Sequence, residues 1–123
     1  MKNFYVCRTC GKVMTQLTEK HIPTMCCGSP MEKLVAGTTE ASIEKHIPVY
    51  EVENGMVDVR VGAVEHPMSP EHFIEWVAIE TNKGSQIKYL APNTKPECKF
   101  ALLEDEVVLS VYAYCNLHSL WKA

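Results

Sequence analysis

Four cysteines fall within the first 27 of 123 residues: Cys7 and Cys10 in "CRTCGK", then the contiguous pair Cys26 and Cys27 in "MCCGSPM". A Cys-x-x-Cys turn lets two thiolates converge on one ion while nearby backbone N–H groups point at the sulfurs. Four such thiolates favour a tetrahedral zinc or iron centre, by ligand softness and geometry. Adjacent cysteines ordinarily point apart, so using both on one ion requires a distorted backbone, and Gly28 directly afterwards offers the freedom for it. A supporting zinc knot remains an alternative to a redox iron at this stage. Disulfides are disfavoured, because no secretory signal opens the sequence.

A second set of soft and borderline ligands lies further along. His46 stands in "IEKHIPVY", His66 and His72 in "EHPMSPEHFIEW", and Cys115 with His118 in "YCNLHSLWK". Cys115-x-x-His118 can reach one ion from a single turn, and His66 and His72 bracket a short loop. The pentapeptide "EKHIP" occurs twice, as Glu19–Pro23 and Glu44–Pro48. Only the second copy is followed by partners that complete a ligand set. The first, with His21, lies between Cys10 and Cys26 and is expected to be fortuitous. Cys98 belongs to neither set and reads as a free thiol flanking a strand.

These residues need scaffolding, and the two parts of the chain differ in how they supply it. The first 36 residues are punctuated by glycine and proline and are too few to fold without a metal or a partner. "GTTEASI", residues 37–43, reads as a linker. From Pro48 the texture is β. "VYEVENGMVDVRVGAV" alternates about Asn54-Gly55, the dipeptide of a tight hairpin turn. "HFIEWVAIET" alternates as well, and "KFALLEDEVVLSVYAYC" reads as two strands about an acidic turn at Glu104 to Glu106. No amphipathic helix is evident. The expectation is a mostly β protein: a small metal-binding domain followed by an antiparallel sandwich. Its core would draw on Val57, Val59, Val61, Phe73, Trp76, Ile79, Leu109, Val111 and Tyr112.

Composition excludes several classes. A net charge of −3 with no basic stripe argues against nucleic-acid binding. No apolar run approaches the roughly 20 residues that cross a bilayer, so no membrane role is expected. The expected location is the cytoplasm.

The first third of the sequence, "FYVCRTCGKVM", "MCCGSPM" and "EKLVAG", resembles desulforedoxin. That resemblance implies a rubredoxin-like Fe(Cys)4 centre, able to relay electrons but without an open position. "EKHIPV", "HPM", "HFIEW" and "CNLHSLWK" resemble, in order, the catalytic domain of superoxide reductase found in neelaredoxin and desulfoferrodoxin. The joint resemblance to the two-iron desulfoferrodoxin type covers essentially the whole chain. It implies domains at 1–36 and 44–123, an immunoglobulin-like sandwich for the second, and a homodimer. It also implies an iron held by His46, His66, His72 and His118 in a plane with Cys115 axial, and Glu44 and Lys45 beside the open face.

The implied activity is one-electron reduction of superoxide to hydrogen peroxide, with rubredoxin or a related reductase as electron donor. At about 6 Å and an effective dielectric near 20, Lys45 would attract a monoanion by roughly 3 kcal/mol. The distant net charge, screened over about 8 Å, opposes this only weakly. A non-catalytic iron electron-transfer protein, a zinc-stabilised binding module and a dismutase are the competing expectations.

Overall fold

Asn54 and Gly55 take φ values of 50° and 74°, the left-handed pair that a two-residue hairpin turn demands. They join two of the strands that carry the site. In the computed structural model, which describes residues 2–123, the chain divides into two compact units, Met1–Val35 and Ala36–Ala123. Strands hold 47% of the residues and helix 3%, so positioning falls to strand ends and the loops between them. All the strand pairings are antiparallel.

The first unit has five short strands: β1 (Phe4–Val6), β2 (Val13–Thr15), β3 (Met25–Cys26), β4 (Ser29–Pro30) and β5 (Glu32–Lys33). β1 is central in a three-stranded sheet of order β2-β1-β5, and β3 pairs with β4. Its buried apolar residues are few: Phe4, Val6, Cys7 and Leu34. So small a core supplies little stability without a cross-link or an ion. The loop between Cys10 and Cys26 is pinned by Glu19, whose carboxylate accepts hydrogen bonds from the Tyr5 hydroxyl and from Asn3 Nδ2.

The second unit opens with a single helical turn, α1 (Ile43–His46), closed by Ile47 N–H donating to Ile43 O at 3.0 Å. The sequence showed no helix here, because four residues are too few to display a 3.6-residue period. There follow β6 (Pro48–Glu53), β7 (Met56–Val61), β8 (Ile74–Thr81), β9 (Gly84–Tyr89), β10 (Glu97–Ala101), β11 (Val108–Cys115) and β12 (Ser119–Lys122). One sheet has the order β10-β7-β6 and the other β12-β11-β8-β9. Val57, Val59, Val61 and Phe100 from the first meet Ile74, Val77, Ile79, Val111, Ala113 and Cys115 from the second in one buried cluster.

Two core expectations need correction. Leu109 is 59% exposed. The β11–β8 register pairs Val108 with Thr81 and Ser110 with Glu80, so Leu109 is the extra residue of a bulge. A bulge reverses the side-chain alternation locally and turns Leu109 to solvent. Phe73 is only half-buried, because it precedes β8 in the loop. Strand β9 was not anticipated. It is an edge strand, mostly exposed, and its sequence "GSQIKY" lacks an apolar face.

Candidate metal centres

In the first unit, β1 delivers Cys7 into a turn in which Gly11 N–H donates to Cys7 O at 2.8 Å and Cys10 N–H approaches Cys7 Sγ at 3.5 Å. The second pair comes from the β3–β4 hairpin. Its two turn residues are Cys27 and Gly28, with φ values of 51° and 78°. A non-glycine residue in the left-handed region is uncommon. Here it swings Cys27 round so that neighbouring sulfurs, Cys26 Sγ and Cys27 Sγ, lie 4.0 Å apart. Cys10 Sγ and Cys26 Sγ are 3.7 Å apart, and all four sulfurs fall within 4.8 Å of one another.

The backbone N–H of Cys10 pulls the Cys7 thiol well below the usual range. Hydrogen bonds with Cys7 and Cys10 push Cys26 well above it. So close a cluster cannot carry four negative charges unaided. A soft cation at its centre is the group that fits this donor set.

In the second unit, four imidazoles form a closed cycle. Ring centroids are 4.6 Å apart for His46 and His66, 4.7 Å for His66 and His72, 5.1 Å for His72 and His118, and 4.9 Å for His118 and His46. Each neighbouring pair is nearly perpendicular, at 79° to 84°. The diagonal pair His46 and His72 is 6.4 Å apart and tilted by only 29°. His46 comes from α1, His66 and His72 from the β7–β8 connection, and His118 from the β11–β12 turn. Cys115 ends β11 and is fully buried. The ligand atoms of His46, His66, His72 and Cys115 lie within 4.8 Å of one another, and His118 Nδ1 is 3.9 Å from Cys115 Sγ.

The tautomers of two rings follow from their partners. His46 Nδ1 lies 2.6 Å from Ser42 O, and His66 Nδ1 lies 2.7 Å from Pro67 O. A carbonyl only accepts, so each Nδ1 carries the proton and each neutral ring offers a lone pair at Nε2. Burial, more than any other influence, holds both imidazoles below their usual range, His66 down to about 4. The two Nε2 atoms are nonetheless only 3.1 Å apart. Two lone pairs at that separation repel unless a cation lies between them. His72 Nε2 is buried and has no hydrogen-bond partner among the described residues. Cys115 is raised by burial, partly countered by the N–H groups of Leu117 and His118. Orphaned nitrogens, a buried thiol and facing lone pairs fit a redox-capable transition metal.

Around this cycle, Trp121 packs against His46 at 4.8 Å and donates from Nε1 to His118 O at 2.9 Å. Glu44 and Lys45 are both exposed on α1. Lys45 directly precedes His46 on α1, and its charge is a minor influence against protonation of His46 and His72, after burial. Behind α1, Gly62 is required by close approach. A Cβ there would meet Glu44 O at 2.7 Å, and Ile47 O and the Lys45 carbonyl carbon each at 2.9 Å.

The structure thus gathers Cys7, Cys10, Cys26 and Cys27 in one cluster, and His46, His66, His72, Cys115 and His118 in another. His21 belongs to neither and is exposed. Cys98, on β10, also stands apart, its thiol pushed up to about 11 chiefly by burial. The orienting carbonyls of Ser42 and Pro67, and the roles of Trp121 and Gly62, carry no sequence signal. They act through backbone atoms or across long sequence separations.

Comparison with known proteins places these clusters in context. The family model described as "Desulfoferrodoxin" matches residues 38–123. A desulfoferrodoxin of Clostridium acetobutylicum is 42% identical over 121 residues, covering 98% of this chain and 94% of that one. One from Nitratidesulfovibrio vulgaris is 40% identical over 119 residues, covering 97% and 93%. Among solved structures, the superoxide reductase of Treponema pallidum superposes with a TM-score of 0.85 at 38% identity, over 100% of this chain and 98% of that one. The one-iron superoxide reductase of Giardia intestinalis matches 65% of this chain and 95% of its own, with a TM-score of 0.56 at 28% identity.

Proposed function

This chain belongs to the desulfoferrodoxin family, and from that premise we propose that it is a superoxide reductase. The observation that carries the proposal is the ring cycle with its buried thiol, in which His46 and His66 turn unprotonated Nε2 atoms toward each other. In this reading His46, His66 and His72 hold iron through Nε2, His118 through Nδ1, and Cys115 through its thiolate. Cys7, Cys10, Cys26 and Cys27 hold a second iron. Bound at the histidine site, iron supplies one electron to superoxide, which with two protons becomes hydrogen peroxide. Lys45 draws the anion in and orients it, as an exposed cation directly before His46 on α1. Glu44, one residue earlier on the same turn, flanks the approach. Ser42 O and Pro67 O keep the rings in the tautomer that leaves Nε2 free.

The first unit serves as an electron relay, a role supported by its four converging sulfurs. The electron donor is a rubredoxin-type protein, the site of action is the cytoplasm, and the chain works as a homodimer. Exposed Leu17, Ile22 and Met25 around the small first unit support a protein partner there. Among the described residues no helix is long and apolar enough to cross a membrane.

The test is stoichiometric. Purified protein should contain two irons per chain. When reduced and mixed with superoxide, it should yield one peroxide per superoxide consumed, with no oxygen evolved. Oxygen release at half the superoxide consumed would indicate a dismutase. Two irons without any superoxide consumption would indicate an electron carrier.

A further inference from the structure

The residue between Cys115 and Leu117 makes three hydrogen bonds to the segment that presents His72. Asn116 N–H donates to Phe73 O at 3.2 Å. Its side-chain Oδ1 accepts from Phe73 N–H at 2.9 Å, and its Nδ2 donates to Glu71 O at 2.9 Å. Glu71 O and Phe73 N–H belong to the two peptide groups on either side of His72. One carboxamide therefore grips the backbone before and after that histidine. Within its own loop, His72 N–H donates to Ser69 O at 3.2 Å, and Ser69 N–H donates to His72 O at 3.0 Å. The backbone groups about His72 are thereby held from both sides.

The clasp sits where the β-ladder runs out. β8–β11 pairing ends at Cys115 and Ile74, just past a register shift after Tyr114. Beyond that point the Asn116 amide stands in for the next rung. Because Asn116 is bonded covalently to Cys115, the same grip sets the thiol and the His72 imidazole in one register.

An identical device occurs at the far end of the same strand pair. Asn82, just past β8, donates from Nδ2 to Asp105 O at 3.1 Å and accepts at Oδ1 from Val107 N–H at 2.8 Å. Its N–H donates to Val107 O at 3.2 Å. There the gripped residue is Glu106, which belongs to neither sulfur nor imidazole cluster. Two like clasps close the two ends of one hairpin-like pair, and only one of them holds a candidate ligand.

We propose that Asn116 is a positioning residue of the second metal centre, fixing the geometry between the Cys115 sulfur and the His72 ring. The inference rests on the ligand assignment above. Asn116→Asp keeps the acceptor for Phe73 N–H but replaces the donor to Glu71 O with a second acceptor; Asn116→Leu removes both. Partners that orient metal ligands typically govern affinity by 10- to 100-fold.

The experiment uses full-length protein with Asn82→Leu as control, since that variant loses the same two side-chain bonds away from the metal. Cobalt(II) and iron(II) affinities at the second centre are measured against a competing chelator, together with the thiolate charge-transfer band and the reduction potential. Asn116→Asp and Asn116→Leu should weaken metal retention at least tenfold and shift the band and potential. Asn82→Leu should lower only the melting temperature. The inference is overturned if the Asn116 variants keep wild-type affinity, band and potential, or if Asn82→Leu moves them equally. Should Asn116→Leu not fold, Asn116→Asp decides. If the wild type itself holds no metal at this centre, the ligand assignment fails instead, and that outcome is read separately.

Discussion

Stripping the metal from the histidine centre should destabilise the second unit by an amount that its geometry fixes from below. His46 and His66 each donate Nδ1–H to a carbonyl, so both present lone pairs at Nε2 across 3.1 Å. His72 Nε2 adds a third buried nitrogen without a hydrogen-bond partner among the described residues. His118 Nδ1, 3.1 Å from His46 Nε2, can donate to that nitrogen, but this leaves His66 Nε2 and His72 Nε2 without a donor. A buried acceptor left unsatisfied costs about 1–3 kcal/mol. Counting only two of the three at the low end gives about 2 kcal/mol. For a unit of this size each kcal/mol moves the melting midpoint by roughly 4–8 °C, so a fall of about 8–16 °C is expected. The ion's full binding energy, of which this relief is one part, sets the actual fall. Trp76 and Trp121 are the two tryptophans of the sequence and both lie in the second unit, so tryptophan fluorescence isolates its melting from that of the first. Iron-loaded, chelated and reloaded protein would be melted side by side. Identical midpoints for loaded and chelated forms would refute the assignment of facing lone pairs.

Other perturbations separate the remaining roles. His46→Ala should abolish the iron–thiolate charge-transfer band and superoxide consumption, whereas His21→Ala, on an exposed loop, should leave both intact. Lys45→Met should lower the second-order rate constant with superoxide about tenfold or more in pulse radiolysis, with the deficit shrinking as salt screens the charge. Gly62→Ala would press a methyl against backbone at 2.7 Å, and restoring ordinary contact at 3.4 Å displaces α1 by about 0.7 Å. Overpacking of that kind costs about 1–3 kcal/mol, and a broadened charge-transfer band should accompany the lower melting point. Cys98, raised from 9.0 to about 11, should carry about a hundredfold less thiolate than a free cysteine at pH values well below 9. Its alkylation by iodoacetamide, followed by mass, should be correspondingly slow and should accelerate as pH rises toward 11.

The cysteines and histidines were legible because metal chemistry restricts residue type, and turns restrict spacing. Cys7-x-x-Cys10 and Cys115-x-x-His118 announce themselves, and the strained Cys26–Cys27 pair could be anticipated from Gly28. Asn54-Gly55 was legible for the same local reason. What escaped notice works through the backbone of distant residues. Gly62 matters because α1 lies on it, and Trp121 because it touches His46. No window of sequence contains both members of either pair. Leu109 misled because a bulge, set by the partner strand's register, reverses the alternation that its sequence displays. Strand β9 has no such pattern to read, being a polar edge held by its neighbour's ladder.

The two clusters differ in how far along the chain their members lie. Cys7 and Cys27 bound the first, so twenty positions separate its outermost ligands. The second draws together His46 and His118, 72 positions apart. During synthesis the sulfur cluster is complete once Cys27 has left the ribosome, and a nascent chain already holds every group needed to capture an ion there. The imidazole cycle cannot close until nearly all of the sandwich has emerged and paired. Its site is therefore formed by a largely folded sandwich, whereas the sulfur site is formed by one short stretch of chain.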